Sequence, residues 1–171
     1  MKILGFIFVL GTIAINDVSS QKEYVMQNEL QAIDQVIAKV FEAICFEKGD
    51  RPNMLKLIPL FMTDGRLIDY NGDEPLILGV KDFVAHFENQ FDQGLILELE
   101  DKEVSSKTEI FGKIAHRTSL YEARFKSSDP EPFAAGVNSI QMIKLNGNWK
   151  VSSMAWNDDK DFNFFGASTK K

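Results

Sequence analysis

FMTDGRLIDYNGDEP, residues 61–75, decides how the rest of the chain is read. It holds Asp64, Asp69, Asp73 and Glu74, and two of these flank one short apolar run. Thr63-Asp64-Gly65 is turn chemistry, because Asp bonds its own backbone and Gly tolerates unusual dihedrals. Residues 66–70 then read as a strand, in which alternate side chains take opposite faces. Leu67 and Asp69 share one face; Arg66, Ile68 and Tyr70 share the other. Asp64 therefore belongs to the turn before the strand, and Asp69 is a carboxylate on an apolar row. Apolar surroundings penalise an ionised carboxyl group, which suits a general base. The alternative is a solvated strand end, with Asp69 bonded to Tyr70 or Asn71.

Upstream, Leu30, Ile33, Ile37, Val40, Phe41 and Ile44 recur at three- and four-residue steps and predict an amphipathic helix over 29–46. Asn28 and Gln31 have capping-box spacing, and Gly49 lies just past the end. A shorter helix follows Asp50, with Pro52 in its first turn and Pro59 at its exit. Downstream, a short run at 76–78 leads into a third helix over 80–91. Its stripe is Val80, Phe83, Val84, Phe87 and Phe91, with His86 on the flank.

From Leu95 the texture changes to long β-rich segments: LILELEDKEV, KIAHRTSLYEARF, GVNSIQMIKLN and NWKVSSMAW. Phe111-Gly112 and Asn146-Gly147 separate them, and the Asn-Gly pair is a strong hairpin signal. Helices followed by an antiparallel meander indicate an α+β domain. A curved sheet wrapped around helices encloses a space where a ligand would sit. Val137, Ser139, Gln141, Ile143 and Leu145 share a face, so Gln141 is a polar residue on an apolar row and needs a partner or a ligand. His116 shares a row with Ile114, Thr118 and Leu120, from which it either reaches the enclosed space or packs on the sheet. Arg117, Ser119 and Tyr121 then form an outer or subunit-facing row. Trp149 and Trp156 have opposite parity in a regular strand, so one is expected in the core and the other at an interface or pocket wall. ELEDKE (98–103) reads as a solvated strand end and not as a metal site.

The first twenty residues, MKILGFIFVLGTIAINDVSS, have a cationic start, an apolar run and small residues before Gln21. That is the pattern of a secretory signal, and it predicts export to a periplasmic or extracellular space. Residues 21–171 then form one domain of about 150 residues. The formal charge of -6, without basic clusters, argues against nucleic acid and anionic membrane surfaces as partners. Cys45 has no partner for an internal disulfide and reads as a half-buried helix residue. Two histidines and one cysteine at unrelated spacings suggest neither a metal nor a cofactor. The tail over 158–171 carries Phe162, Phe164 and Phe165, which would cover a sheet face, close a pocket or meet a second subunit.

The order of elements resembles the nuclear-transport-factor-2-like (NTF2-like) superfamily with its SnoaL-like members. The residues that carry the resemblance are LFMTDGRLIDYNG (60–72), the start of the third helix with Gly79-Val80, Phe83 and Phe87, and NGNWKVSSMAW (146–156). It implies a cone-shaped fold with three N-terminal helices packed on a curved antiparallel sheet. Within that superfamily the segment 64–75 also resembles ketosteroid isomerases. By that resemblance Asp69 falls on the general base and Gln141 on one of two donors to an enolate oxygen. The second donor, a tyrosine, falls near Phe41 or Glu42, where this chain has no phenol. The specific activity is therefore not carried over.

Three functions compete. The first is an exported domain that binds a small apolar molecule in the cone, with Leu67, Phe87, Phe41, Gln141 and Trp149 as lining residues. The second is an isomerase-, cyclase- or dehydratase-type enzyme with Asp69 as base, Gln141 as donor and His116 as a further acid. The third is a dimerising interaction module that works through an open sheet face.

Overall fold

A computed structural model of the protein describes residues 11–159. Residues 1–10 of the expected leader, and the aromatic tail from residue 160 onward, lie outside the described residues. The elements run α1 (Gly11–Ile44), a 3-10 helix (Met54–Leu60), β1 (Phe61–Asp69), β2 (Leu76–Gly79), α2 (Val80–Asp92), β3 (Glu100–Phe111), β4 (Ile114–Arg124), β5 (Ala134–Leu145) and β6 (Asn148–Asp158). The six strands form one sheet in the order β2-β1-β6-β5-β4-β3. The fold is α+β, with a helical layer on one face of the sheet.

Two details differ from expectation. The helices are not all N-terminal, since α2 follows β1 and β2, and the middle one is a 3-10 segment with Pro59 inside it. The sheet is not wholly antiparallel either, because β1 runs parallel to β6. Parallel neighbours need a long crossover between them, and here α2 and the β3–β5 meander lie between the two strands.

Of its predicted stripe, α1 buries Ile33, Ile37, Val40 and Phe41 against Ile140, Met142 and Val151 of the sheet, while Ile44 is half-buried and Leu30, near the stripe's start, is exposed. It begins well before the predicted start and runs through Asn28, so no capping box forms there. Two polar fastenings tie it to the sheet. Glu29 pairs with Lys144 of β5 and accepts a 2.8 Å hydrogen bond from the Trp149 indole nitrogen of β6. Arg117 of β4, 5% exposed, donates to Glu103 of β3, Thr108 of β3 and Asp34 of α1. Buried charge is tolerated only when it is paired in this way.

Strand β1 is longer than predicted and takes in Asp64. Its pairing with β6 is irregular between Phe61 and Arg66, and Asp64 sits in that irregular stretch with its side chain exposed. The Asn146-Gly147 hairpin forms as its chemistry dictates, both residues having positive φ (49° and 82°).

The faces of β4 and β5 are inverted relative to expectation. Ala115, Arg117, Ser119, Tyr121 and Ala123 point toward the helices and are buried. Ile114, His116, Thr118 and Leu120 point away from them. In β5 the inward row is Ala134, Gly136, Asn138, Ile140 and Met142, while Ser139 and Gln141 lie exposed on the outer face. Ile114, Leu120, Val137 and Ile143 thus stand on the outer rows, while the inner rows mix Ile140 and Met142 with small and polar residues. Small residues on the inside leave room there, and the inward Arg117 and Tyr121 find partners in Asp34, Glu103 and Asp158.

Candidate functional site

Between the sheet and the helices lies a cavity of about 230 Å³. Val40 and Ile44 of α1, Phe83 and Phe87 of α2, Leu67 of β1 and Met154 of β6 wall it. Trp156, Tyr121 and Phe133 add aromatic surface. Phe133 stacks on Phe125, ring centroids 4.2 Å apart, where the β4–β5 connection passes the cavity. Polar groups converge at one end: Asn71, Asp101, Tyr121, Asn138 and Asp158.

A single row across the sheet builds that end. Tyr121 of β4 pairs with Gly136 of β5, which pairs with Asp158 of β6. Gly136 has no side chain to stand between its neighbours, so the Tyr121 hydroxyl reaches across the strand and donates to Asp158 Oδ1. A Cβ at Gly136 would come within 2.1 Å of the Asn157 carbonyl oxygen, so the backbone there admits glycine alone. The Asp158 N–H donates to Asn71 Oδ1 at 2.7 Å, closing the row against the loop after β1. Burial pushes the Tyr121 phenol well above its usual range, and the bond to Asp158 adds to the effect.

Asp101, near the start of β3, stands at the same end. Its backbone exchanges hydrogen bonds with the Cys45 thiol, Sγ–H to the carbonyl and N–H to Sγ, both at 3.2 Å. Cys45 thus anchors the β3 start to the end of α1, and burial pushes its thiol up. The Asp101 carboxyl accepts from the Lys102 backbone N–H, while its Oδ1 is shut off from solvent with no hydrogen-bond partner. Burial pushes this carboxyl up to about 7, and the negative charge of Asp158 adds to the rise. Such a group changes protonation near neutral pH, which an ordinary aspartate does not.

The residues expected to form the site are scattered. Leu67 and Phe87 line the cavity, whereas Phe41 belongs to the core beside it. Asp69 is on the inward row, level with Trp156 of β6. It faces a neighbouring cleft of about 200 Å³ that it shares with His86, Gln90 and Leu76. Asp69 Oδ1 accepts a 2.9 Å hydrogen bond from the Asn71 N–H, the turn arrangement that was the alternative for it. Gln141 and His116 lie side by side on the outer face, where His116 Nε2 meets Ser139 Oγ at 3.3 Å. Neither reaches the cavity. Trp149 is buried against α1 and is also not among the lining residues. A bulge at Ser152 between the two tryptophans shifts the alternation, so both Trp149 and Trp156 point inward. Among the described residues no group of His, Cys, Asp and Glu has the makings of a metal site, and no helix is long and apolar enough to cross a membrane.

Neither the protein-family models nor the curated proteins give a sequence match to this chain. Solved structures do match in shape. A protein of unknown function from Mycobacterium tuberculosis superposes with a TM-score of 0.62 at 14% identity, over 78% of this chain and 77% of that one. An NTF2-like protein of unknown function from Pseudomonas putida gives 0.59 at 16% identity, over 79% and 88% of the two chains. The fold is NTF2-like. Other proteins with this shape have activity-bearing names. A candidate scytalone dehydratase from Novosphingobium aromaticivorans matches at TM-score 0.60 and 16% identity, over 80% and 89%. A candidate ketosteroid isomerase from Shewanella frigidimarina matches at 0.53 and 17%, over 74% and 94%. At these identities the likeness is one of fold, and NTF2-like scaffolds are a platform on which the site decides the function.

Asp101 and Tyr121 are the site residues that sequence reasoning missed. Asp101 sits in the acidic run 98–103, which looks solvated, and Tyr121 on a row that looks external. The usable signal was the run of small residues, Ala123, Ala134 and Gly136. On adjacent strands these leave a hollow that larger side chains would fill.

Proposed function

We propose that the protein binds a small, mostly apolar molecule in the cone cavity and acts as an exported binding or carrier domain. The observation that carries this reading is the cavity itself, with apolar and aromatic walls and one polar end. That is the usual make-up of a small-molecule site, in which apolar walls supply affinity and a few polar groups supply orientation. The signal-like segment 1–20 supports export. An enzymatic reading with Asp69 as base and Gln141 as donor loses support, because the two residues lie on opposite faces of the sheet. A homodimer is part of the proposal. Its support is the outer sheet face, where Phe111 and Ile114 are largely exposed beside Leu120, Val137 and Ile143.

The test is binding of N-phenyl-1-naphthylamine, an uncharged dye that fluoresces in apolar surroundings. Saturable enhancement is expected from the native protein. Ala134→Phe, which fills the hollow from its wall, should weaken it at least tenfold while circular dichroism stays unchanged. Equal dye binding by both proteins would exclude the cone as the site.

A further inference from the structure

The polar end of the cavity carries carboxyl groups and no cation. Asp101 and Asp158 both line it, and none of the lining residues is a lysine, arginine or histidine. Asp158 has the Tyr121 hydroxyl as a donor, whereas Asp101 Oδ1 is buried with none. An acceptor left bare in an apolar enclosure is costly, and a ligand that donates to it recovers that cost. The rest of the enclosure is aromatic: Phe83, Phe87, Phe133, Tyr121 and Trp156. Aromatic faces attract cations and pack apolar carbon equally well.

Resting on the reading of the cone as a small-molecule site, we infer that its ligand is an amphipathic amine, with an ammonium head between Asp101 and Asp158 and an aryl or alkyl body against the aromatic walls. The ammonium supplies the donor that Asp101 Oδ1 lacks and the positive charge that the two carboxyl groups lack. Charge-assisted hydrogen bonds of this kind are stronger than neutral ones. The chain's charge of -6 also favours the approach of a cation.

The inference fixes the direction of a pH effect. Asp158 on β6 bears directly on Asp101, and Tyr121 on β4 lines the same end. Cys45, just past α1, bonds the Asp101 backbone and has Glu100 and Glu42 near it; Asp69 on β1 bears on Tyr121. Asp101 is the member of this set pushed to about 7. An ammonium ligand requires it ionised, so binding below that pH expels a proton. Affinity should rise with pH between 6 and 8 by up to about tenfold per unit below the transition. A ligand that accepts a hydrogen bond from neutral Asp101, such as a ketone, would show the opposite slope.

Calorimetric titration of the folded protein with 2-phenylethylamine and with 2-phenylethanol, at pH 6 and pH 8, tests this. The amine stays protonated throughout, and the alcohol matches its shape. The amine is expected to bind at least tenfold more tightly than the alcohol at pH 8, with protons released at pH 6. Asp101→Asn should abolish both the preference and the pH slope, and Asp158→Asn should reduce the preference. Equal affinity for amine and alcohol, an amine affinity that falls with pH, an unchanged preference in Asp101→Asn, or no amine binding would each overturn the inference. The uncharged dye separates this failure from a wider one. Dye binding that Ala134→Phe abolishes, without amine preference, leaves the cone as a binding site for a neutral molecule. Loss of both removes the cone reading as well.

Discussion

Asp101 makes folding depend on pH in a direction opposite to most aspartates. Its carboxyl is raised by burial to about 7 from an ordinary 3.8, so the folded state holds the proton more tightly than the unfolded chain does. Its contribution to stability is therefore complete below about pH 4 and is lost as pH rises toward 7. At about 1.4 kcal/mol per unit the loss is on the order of 4 kcal/mol. Asp101→Asn is permanently neutral and escapes it. Urea denaturation should find the two proteins alike at pH 4 and the variant more stable by a few kcal/mol at pH 8; parity at both pH values would show that Asp101 is hydrated. Tyr121→Phe probes the neighbouring contact. It keeps the ring and removes the donor to Asp158, and a cost of about 1–2 kcal/mol is expected in the same experiment.

At the scale of elements, the fastening of α1 to the sheet depends on a buried guanidinium. Arg117→Ala would leave Glu103, whose side chain is 21% exposed, with its charge unpaired. Breaking a buried pair from one side costs about 3–5 kcal/mol, so a large fall in the urea midpoint is expected. A fall below about 1 kcal/mol would mean that water replaces the guanidinium. The same strand shows why part of the architecture was legible and part was not. Helix stripes were readable because α1 and α2 each bury one face, and Asn146-Gly147 because only a few turns accept positive φ at both positions. Strand existence was readable from composition, but facing was not. Periodicity separates the two rows of a strand without saying which is inside. The usual guide, that the apolar row is inside, does not decide β4 and β5, where both rows mix apolar and polar residues. Their inward rows carry Asn138 beside Arg117 and Tyr121, and the last two are satisfied by partners far along the chain, Arg117 by Asp34 and Tyr121 by Asp158. In β6 the bulge at Ser152 resets the alternation, which no count of residues could show.

The inversion has a consequence for the whole molecule. With Ile114, Leu120, Val137 and Ile143 on the outer face, the question is what covers them. A monomer exposes scattered apolar residues without penalty, but a contiguous patch marks an interaction surface. Phe111, Ile114 and Ile143 meet in one register row across β3, β4 and β5, and Leu120 and Val137 meet in another. His116, Gln141, Thr118 and Ser139 lie in the rows between, so the face mixes apolar anchors with groups able to hydrogen bond. That mixture is the make-up of an interface core with polar contacts, and a two-fold axis would let one such face meet its copy. Sedimentation equilibrium should therefore find a dimer at micromolar concentrations. Ile114→Asp, which places a charge at a site 55% exposed in the single chain, should yield a folded monomer. The side chain has no core contacts to lose, so the monomer should keep its circular dichroism and its dye binding, because the cone opens on the other side of the sheet. A monomeric native protein at these concentrations would instead mean that the outer face serves a different partner or none.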